Sequence, residues 1–227
     1  MNAQLALPLR LSDHAAFASF HSPGNDTLVA WLKQLADGGA GPGAWVRGGG
    51  ATGKSHLLQA ACARAGADAV YLPLQEFAAG PASILDGLAR RRLVCLDDLG
   101  AVAGREAWEL ALFELCNQLA DAAGILVAAA TGAPRDCGFT LPDLESRLSK
   151  LPAFRIVPLA EADRIQALKL RARHRGLDLP TDTAEYLLRR TRRDMASLYA
   201  LLDHLDRQSL EAQRRLTIPF VRDVLSR

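Results

Sequence analysis

The stretch Gly48-Gly49-Gly50-Ala51-Thr52-Gly53-Lys54-Ser55 decides the reading of this 227-residue chain. It fits the pattern G-x-x-x-x-G-K-[ST] without a mismatch, and each fixed position has a physical role. Gly48 and Gly53 let the backbone turn its N–H groups inward around the phosphates of a nucleotide. Lys54 then reaches the β- and γ-phosphates, and the Ser55 hydroxyl ligates Mg²⁺. The flanks agree. Ala44–Arg47 reads as a short strand and His56–Arg64 as a helix, so the phosphates would sit at a helix N-terminus, where backbone donors and the dipole favour an anion. A glycine-rich turn before an ordinary helix would not require the Lys54–Ser55 pair.

Working outward, short apolar runs alternate with helical segments: Ala44–Arg47, Ala69–Leu74, Arg92–Leu96, Ile125–Ala130 and Phe154–Pro158. Continuous apolar strands between helices imply an α/β fold with a five-stranded parallel sheet covered on both faces. A helix is expected from about Asp26, as a capping region, to Ala36, stopped by Gly38-Gly-Ala-Gly-Pro-Gly43. From Glu161 onward the strand signal disappears. Helices are expected at 161–175, 181–191, 193–209 and 217–226, with Pro180 and Pro219 near helix starts, where a missing N–H costs little. The expected organisation is a tail (1–12), an α/β nucleotide-binding domain (13–160) and a small helical domain (161–227).

Composition narrows the class. Hydrophobic residues make up 49% and charged residues 23%, which supplies a packed core and excludes global disorder. A formal charge of +2 is too balanced to mark a nucleic-acid binder by bulk charge. Cys62, Cys95, Cys116 and Cys137 are widely spaced and form no C-x-x-C pair, so they read as buried hydrophobes of a reduced, cytoplasmic protein. No apolar run reaches membrane-spanning length, and no membrane association is expected.

A phosphate loop needs a metal-ordering group at the end of a neighbouring strand. Leu93-Val-Cys-Leu-Asp97-Asp98 supplies two carboxylates as an apolar strand emerges. Asp97 would hold the Mg²⁺ shell, directly or through water, and Asp98 would orient an attacking water. Thr131 ends the next apolar strand, where it either senses a γ-phosphate or simply closes the strand. Arg147, in Leu141-Pro-Asp-Leu-Glu-Ser-Arg-Leu148, reads from composition alone as a surface residue of an apolar–acidic helix.

The octet followed by His56-Leu-Leu, the Asp97-Asp98 strand end, Ser146-Arg147 and the helical tail together resemble the DnaA/Hda family of bacterial AAA+ proteins. The likeness runs from about Phe17 to the C-terminus, and Leu216-Thr-Ile-Pro-Phe-Val-Arg222 resembles the ending of the Hda branch. The resemblance implies an AAA+ P-loop core with a C-terminal helical lid, and ADP or ATP with Mg²⁺ as cofactor. His56 and the segment with Phe20 and Asn25 would then lie near the bound nucleotide. Two features favour the Hda branch, which promotes regulatory inactivation of the initiator DnaA. The chain leaves no room after the lid for a helix-turn-helix domain. And Gln4-Leu5-Ala6-Leu7-Pro8-Leu9 resembles the family's peptide for the DNA polymerase III sliding clamp, with Leu7 and Leu9 entering an apolar pocket while Gln4 fixes one end.

The resemblance further implies that Arg147 acts as an arginine finger in trans on ATP bound to DnaA, with DNA reached mainly through the clamp and a homo-oligomer such as a dimer allowed. One position departs from the pattern. AAA+ lids usually carry an arginine where Ala196 stands, three or four residues beyond Arg192 and Arg193, and its loss argues for weak intrinsic hydrolysis. The rival reading is a DNA-binding initiator-like protein or helicase loader using Arg164, Arg171, Arg173, Arg175, Arg189, Arg190, Arg192 and Arg193 on phosphates. Against it, the Gln75–Arg91 segment is short. A small-molecule kinase would need a phosphoacceptor constellation, and none is evident.

Overall fold

The structure is a computed structural model and describes residues 15–190, 195–212 and 216–225, with the backbone alone at 210–212. In chain order its elements are α1 (Asp26–Ala36), β1 (Ala44–Arg47), α2 (Lys54–Ala65), β2 (Ala69–Pro73), the one-turn α3 (Leu74–Phe77), β3 (Leu93–Asp97), α4 (Glu106–Asp121), β4 (Ile125–Ala130), α5 (Pro142–Ser149) and β5 (Ala153–Arg155). The helices α6 (Glu161–His174), α7 (Thr181–Arg190), α8 (Met195–Ala212) and α9 (Ile218–Leu225) follow. The five strands form one parallel sheet in the order β2-β3-β4-β1-β5. That order sets β1, which leads into the phosphate loop, beside β4 and one strand away from β3 with Asp97.

Alternation along each strand divides the core in two. Val46, Tyr71, Cys95, Val127 and Ala129 pack with α1 and α2 on one face. Trp45, Leu72, Val94, Leu96, Leu126 and Ala128 pack with α4 and α5 on the other. Both faces are apolar because both are covered, which is why the strands read as continuous apolar runs. Trp45 is fully buried, and its indole N–H donates to the Gly132 carbonyl at 3.0 Å, so the one polar atom of the largest core side chain is satisfied. A third cluster, with Leu168, Leu187, Leu198, Leu202 and Phe220, lies among the C-terminal helices.

Asn25 and the end of the last strand depart from expectation through one contact. Asp26 is the first residue of α1 and Asn25 its cap position, yet Asn25 makes no side-chain capping bond. Its amide instead grips Val157, accepting from the Val157 N–H at 2.8 Å and donating to the Val157 carbonyl at 3.0 Å. That same grip shortens the last strand. β5 ends at Arg155, since Val157 gives its backbone groups to Asn25 and Pro158 has no N–H to pair. The Arg192 and Arg193 positions lie outside the described residues.

Gly43 is the point where the chain turns from α1 into the sheet. It holds φ at +90°, and a Cβ there would stand 2.1 Å from the Leu126 carbonyl oxygen, a backbone atom that cannot step aside. Gly43→Ala is therefore expected to lower folding stability by about 3 kcal/mol or more, left-handed strain and clash acting together. A urea-denaturation midpoint within error of the parent's would refute this.

Candidate functional site

The octet forms the turn between β1 and α2. Gly53 stands at the helix cap with φ +102°, and a Cβ there would meet the Phe20 ring at 2.7 Å. Ala51 also takes a left-handed φ of 57°, a strained choice for a residue with a side chain and one that recurs where a loop is shaped for a ligand. Lys54 is buried at 7% exposure, and its ammonium donates to the Gly48 and Gly49 carbonyls at 2.8 and 2.9 Å. The cation is thus held at the centre of the loop it would serve. Ser55 is exposed at the start of α2.

Asp97 ends β3 at 1% exposure. One of its oxygens accepts from the Tyr71 hydroxyl at 3.0 Å and the other from the Asp98 N–H at 3.0 Å. Tyr71 comes from β2, in register with Cys95, and its hydroxyl also lies against Ser55 and Gln59. Burial and the Asp97 charge push the phenol well above its ordinary range, so it remains a donor to the carboxylate. Asp98 is half-buried in the left-handed region, with φ 54° and ψ 47°. Burial, then the neighbouring Asp97 charge, raise the Asp98 carboxyl above the usual range, and Lys54 opposes both. Thr131 lies just past β4 and is exposed. It does not line the cavity described next.

That cavity, about 240 Å³, opens between the phosphate loop and the C-terminal helices. Phe20, Asn25, Gly50 to Gly53 and His56 line one side; Val157 to Leu159 form the back; Arg164, Met195 and Tyr199 close it from α6 and α8. His56 fixes the entry segment here. Its Nε2 lies 2.9 Å from the Ala16 carbonyl, and its ring centroid is 5.5 Å from that of Phe20. Burial lowers the His56 pKa, leaving a neutral ring suited to donate to Ala16. Phe20, Asn25 and His56 thus line one cavity, although Asn25 has its amide engaged with Val157. Ala196 is exposed and not in the cavity wall; from the lid side the wall is made by Met195 and Tyr199, and by Arg164 of α6. Burial raises the Tyr199 hydroxyl to about 12, against the nearby Arg171 cation, whose guanidinium lies 4.3 Å over the ring.

A glycine-rich loop at a helix start, a buried lysine bonded back to that loop, and a buried carboxylate on the strand that pairs with β4 are the parts from which a polyphosphate cradle with a place for a hard cation is built. Among the described residues no group of three His, Cys, Asp or Glu could form a metal cage. A metal here would be held as Mg²⁺ usually is, by one carboxylate, a hydroxyl and the phosphates themselves.

The family model for the Hda lid domain matches residues 161–225. The chain thus carries an Hda-type lid at residues 161–225. Its fold is that of domain III of the replication initiation protein DnaA from Thermotoga maritima, at TM-score 0.80 and 17% identity, covering 96% of this chain and 98% of that one. AMPPCP-bound DnaA from Aquifex aeolicus superposes at TM-score 0.70 and 21% identity, over 88% of this chain and 68% of that one. The Holliday-junction motor RuvB of Thermotoga maritima follows at TM-score 0.62 and 15% identity, over 92% and 72%.

Arg147 stands apart from the cavity. It is half-buried on α5, with its guanidinium 5.6 Å over the Phe113 ring of α4. It lines a second cleft, about 270 Å³, with Pro42, Cys116, Leu126 and Leu151. Those neighbours lie at the amino ends of β1, β4 and β5, whereas the phosphate loop lies at the carboxyl ends. Burial raises the Cys116 thiol to about 11, and Arg147 pulls against that rise.

Several arginines of the Hda-type lid are already committed. Arg175 is 5% exposed at its side chain and pairs with Asp203 at 2.7 Å and Asp206 at 3.3 Å; Arg171 is buried beside Asp203. Arg189 pairs with Glu185 at 3.2 Å, and Arg190 stacks over Tyr186. Arg171 and Arg175 thus fold the lid, while Arg189 and Arg190 stay on its surface. Sequence reasoning missed Tyr71, Arg164, Met195 and Tyr199. Only Tyr71 had a legible signal, as the one hydroxyl in an apolar strand paired with the Asp97 strand.

Proposed function

We propose that this chain is a negative regulator of DNA replication initiation that stimulates hydrolysis of DnaA-bound ATP. The observation that carries the reading is the separation of its two cationic groups. Lys54 serves a phosphate cradle at the carboxyl ends of the strands, while Arg147 faces a cleft at their amino ends and is out of reach of that cradle. An arginine so placed suits a partner's nucleotide better than its own.

In this reading the chain's own site binds ADP or ATP. Residues 48–55 wrap the phosphates, Lys54 neutralises them, and Phe20, His56 and Tyr199 wall the rest of the nucleotide. Ser55 and Asp97 hold Mg²⁺, which when bound offsets phosphate charge. Tyr71 fixes the Asp97 carboxylate, and Asp98 is the group that orients a water. With Ala196 in the lid, turnover at this site is slow and the nucleotide acts mainly to set the shape of the chain. That DnaA from Aquifex aeolicus binds AMPPCP supports nucleotide use here. Residues 4–9, which lie outside the described residues, dock the sliding clamp; DNA is met through the clamp, in the cytoplasm, by a chain that can pair with a second copy. Among the described residues no helix is long and apolar enough to cross a membrane.

The test is hydrolysis of DnaA-bound ATP with clamp-loaded DNA. The intact chain should accelerate it, and deletion of residues 4–9 should abolish clamp binding and the clamp-dependent acceleration. No acceleration by the intact chain would end the proposal. Tight, salt-dependent binding of single-stranded DNA without clamp would instead favour the DNA-binding alternative, for which the buried pairing of Arg171 and Arg175 leaves fewer of the lid arginines.

A further inference from the structure

We propose that Glu109 is a positioning residue for Arg147, tying the turn that follows Asp98 to the start of the helix that carries the arginine. The inference rests on the trans-acting role of Arg147 given above.

Glu109 is a carboxylate at 1% exposure that has no cationic partner among the described ion pairs. Its charge is met by dipoles alone. One oxygen accepts from the Gly104 N–H at 2.6 Å and the Thr140 N–H at 3.0 Å. The other accepts from the Thr140 N–H and hydroxyl, both at 3.0 Å, and from the Leu141 N–H at 2.7 Å. Burial alone would raise this carboxyl, yet the donors on Thr140, Gly104 and Leu141 outweigh it and hold the group below the ordinary glutamate range. It is ionised at neutral pH.

What these bonds join matters more than their number. Gly104 closes the turn that begins at Asp98, and Leu141 is the cap residue of α5. One turn further along α4, on the same face, Phe113 lies under the Arg147 guanidinium. α4 therefore holds α5 at both ends, its start through Glu109 and its arginine through Phe113. A misplacement of the order of an ångström at such a group costs about a hundredfold in rate. Only an ionised carboxylate accepts from all of these donors, because an amide would turn its own N–H₂ against them.

The experiment uses the full chain with Glu109→Gln and, as a milder change that removes one donor, Thr140→Val. At saturating chain, DnaA-bound ATP hydrolysis should fall about tenfold to a hundredfold with Glu109→Gln, while the half-saturating concentration and the chain's own ADP affinity stay within twofold. Thr140→Val should shift turnover in the same direction by less. On an Arg147→Ala background, Glu109→Gln should cost nothing further. A partner-free measurement separates the two readings: the NMR signal of the Arg147 Nε–H, shifted by the Phe113 ring, should move in Glu109→Gln toward its position in Phe113→Leu. If Arg147→Ala leaves DnaA stimulation intact, the trans-acting role falls and this signal alone judges positioning. An Arg147 signal unmoved in Glu109→Gln, while the Thr140 and Leu141 amides lose exchange protection, overturns the proposal, as does an equal loss on the Arg147→Ala background.

Discussion

Lys54→Ala is expected to weaken binding of Mg-ADP and Mg-ATP by at least about a hundredfold. The ammonium already makes two short bonds to the Gly48 and Gly49 carbonyls, so its stem is extended along the loop and little ordering is left to do when phosphates arrive. A charge-assisted bond contributes roughly 1.5–3 kcal/mol, and two such bonds to β- and γ-oxygens amount to about 3–6 kcal/mol. At 1.4 kcal/mol per tenfold, that is two orders of magnitude or more. The fold should survive, because Gly49 is exposed and its carbonyl can turn to water. Isothermal titration gives the affinity, and thermal unfolding gives a second view, since a ligand bound only to the native state raises the midpoint in proportion to ln(1 + [L]/Kd). The parent should show a nucleotide-dependent rise in Tm that the variant lacks. Affinity within about threefold of the parent would sink the nucleotide-site reading, whatever the fold.

The comparison of sequence with structure turns on how far apart in the chain the cooperating residues lie. The phosphate loop was legible because its glycines, lysine and serine are contiguous and each answers a local demand. The strands were legible because a sheet buried on both faces leaves continuous apolar runs. β5 was read too long because Val157 pairs with Asn25, 132 residues away, and nothing local announces that bond. For the same reason the sequence placed Asn25 only near the nucleotide and not on Val157. Tyr71 and Tyr199 were not singled out; their contacts with Asp97 and with the cavity exist only once β2 lies against β3 and α8 closes over the loop. Glu109 carries no local signal, since an acid in the first turn of a helix is favourable for the dipole alone. Its true partners at Thr140 and Leu141 are 31 and 32 residues on. Thr131 was legible only as a strand end, and the register sets it, exposed, one residue past Ala130, whose carbonyl accepts from the Gly48 N–H.

Arg147→Ala is the change with the largest expected effect on the partner's chemistry. An arginine supplied in trans to a phosphoryl-transfer site contributes about a thousandfold or more in rate, so DnaA-bound ATP should return to its unassisted turnover. The loss should appear at saturating chain rather than in the concentration needed, because an arginine that meets charge developing in the transition state adds little to ground-state docking. The chain's own ADP affinity should not change, since the residue lines the cleft at the amino ends of β1 and β4 and not the cavity beside the phosphate loop. Stability should fall only slightly, because the guanidinium loses one exposed-side stacking contact with Phe113, an interaction of about 0.5–1 kcal/mol. Arg147→Lys is the sharper probe. A lysine keeps the charge but not the planar fork that stacks on a ring and grips a phosphoryl group at two points, so it should restore little of the rate. Full stimulation by Arg147→Ala, or a matching loss of the chain's own nucleotide affinity, would place the residue in the fold and not in the reaction.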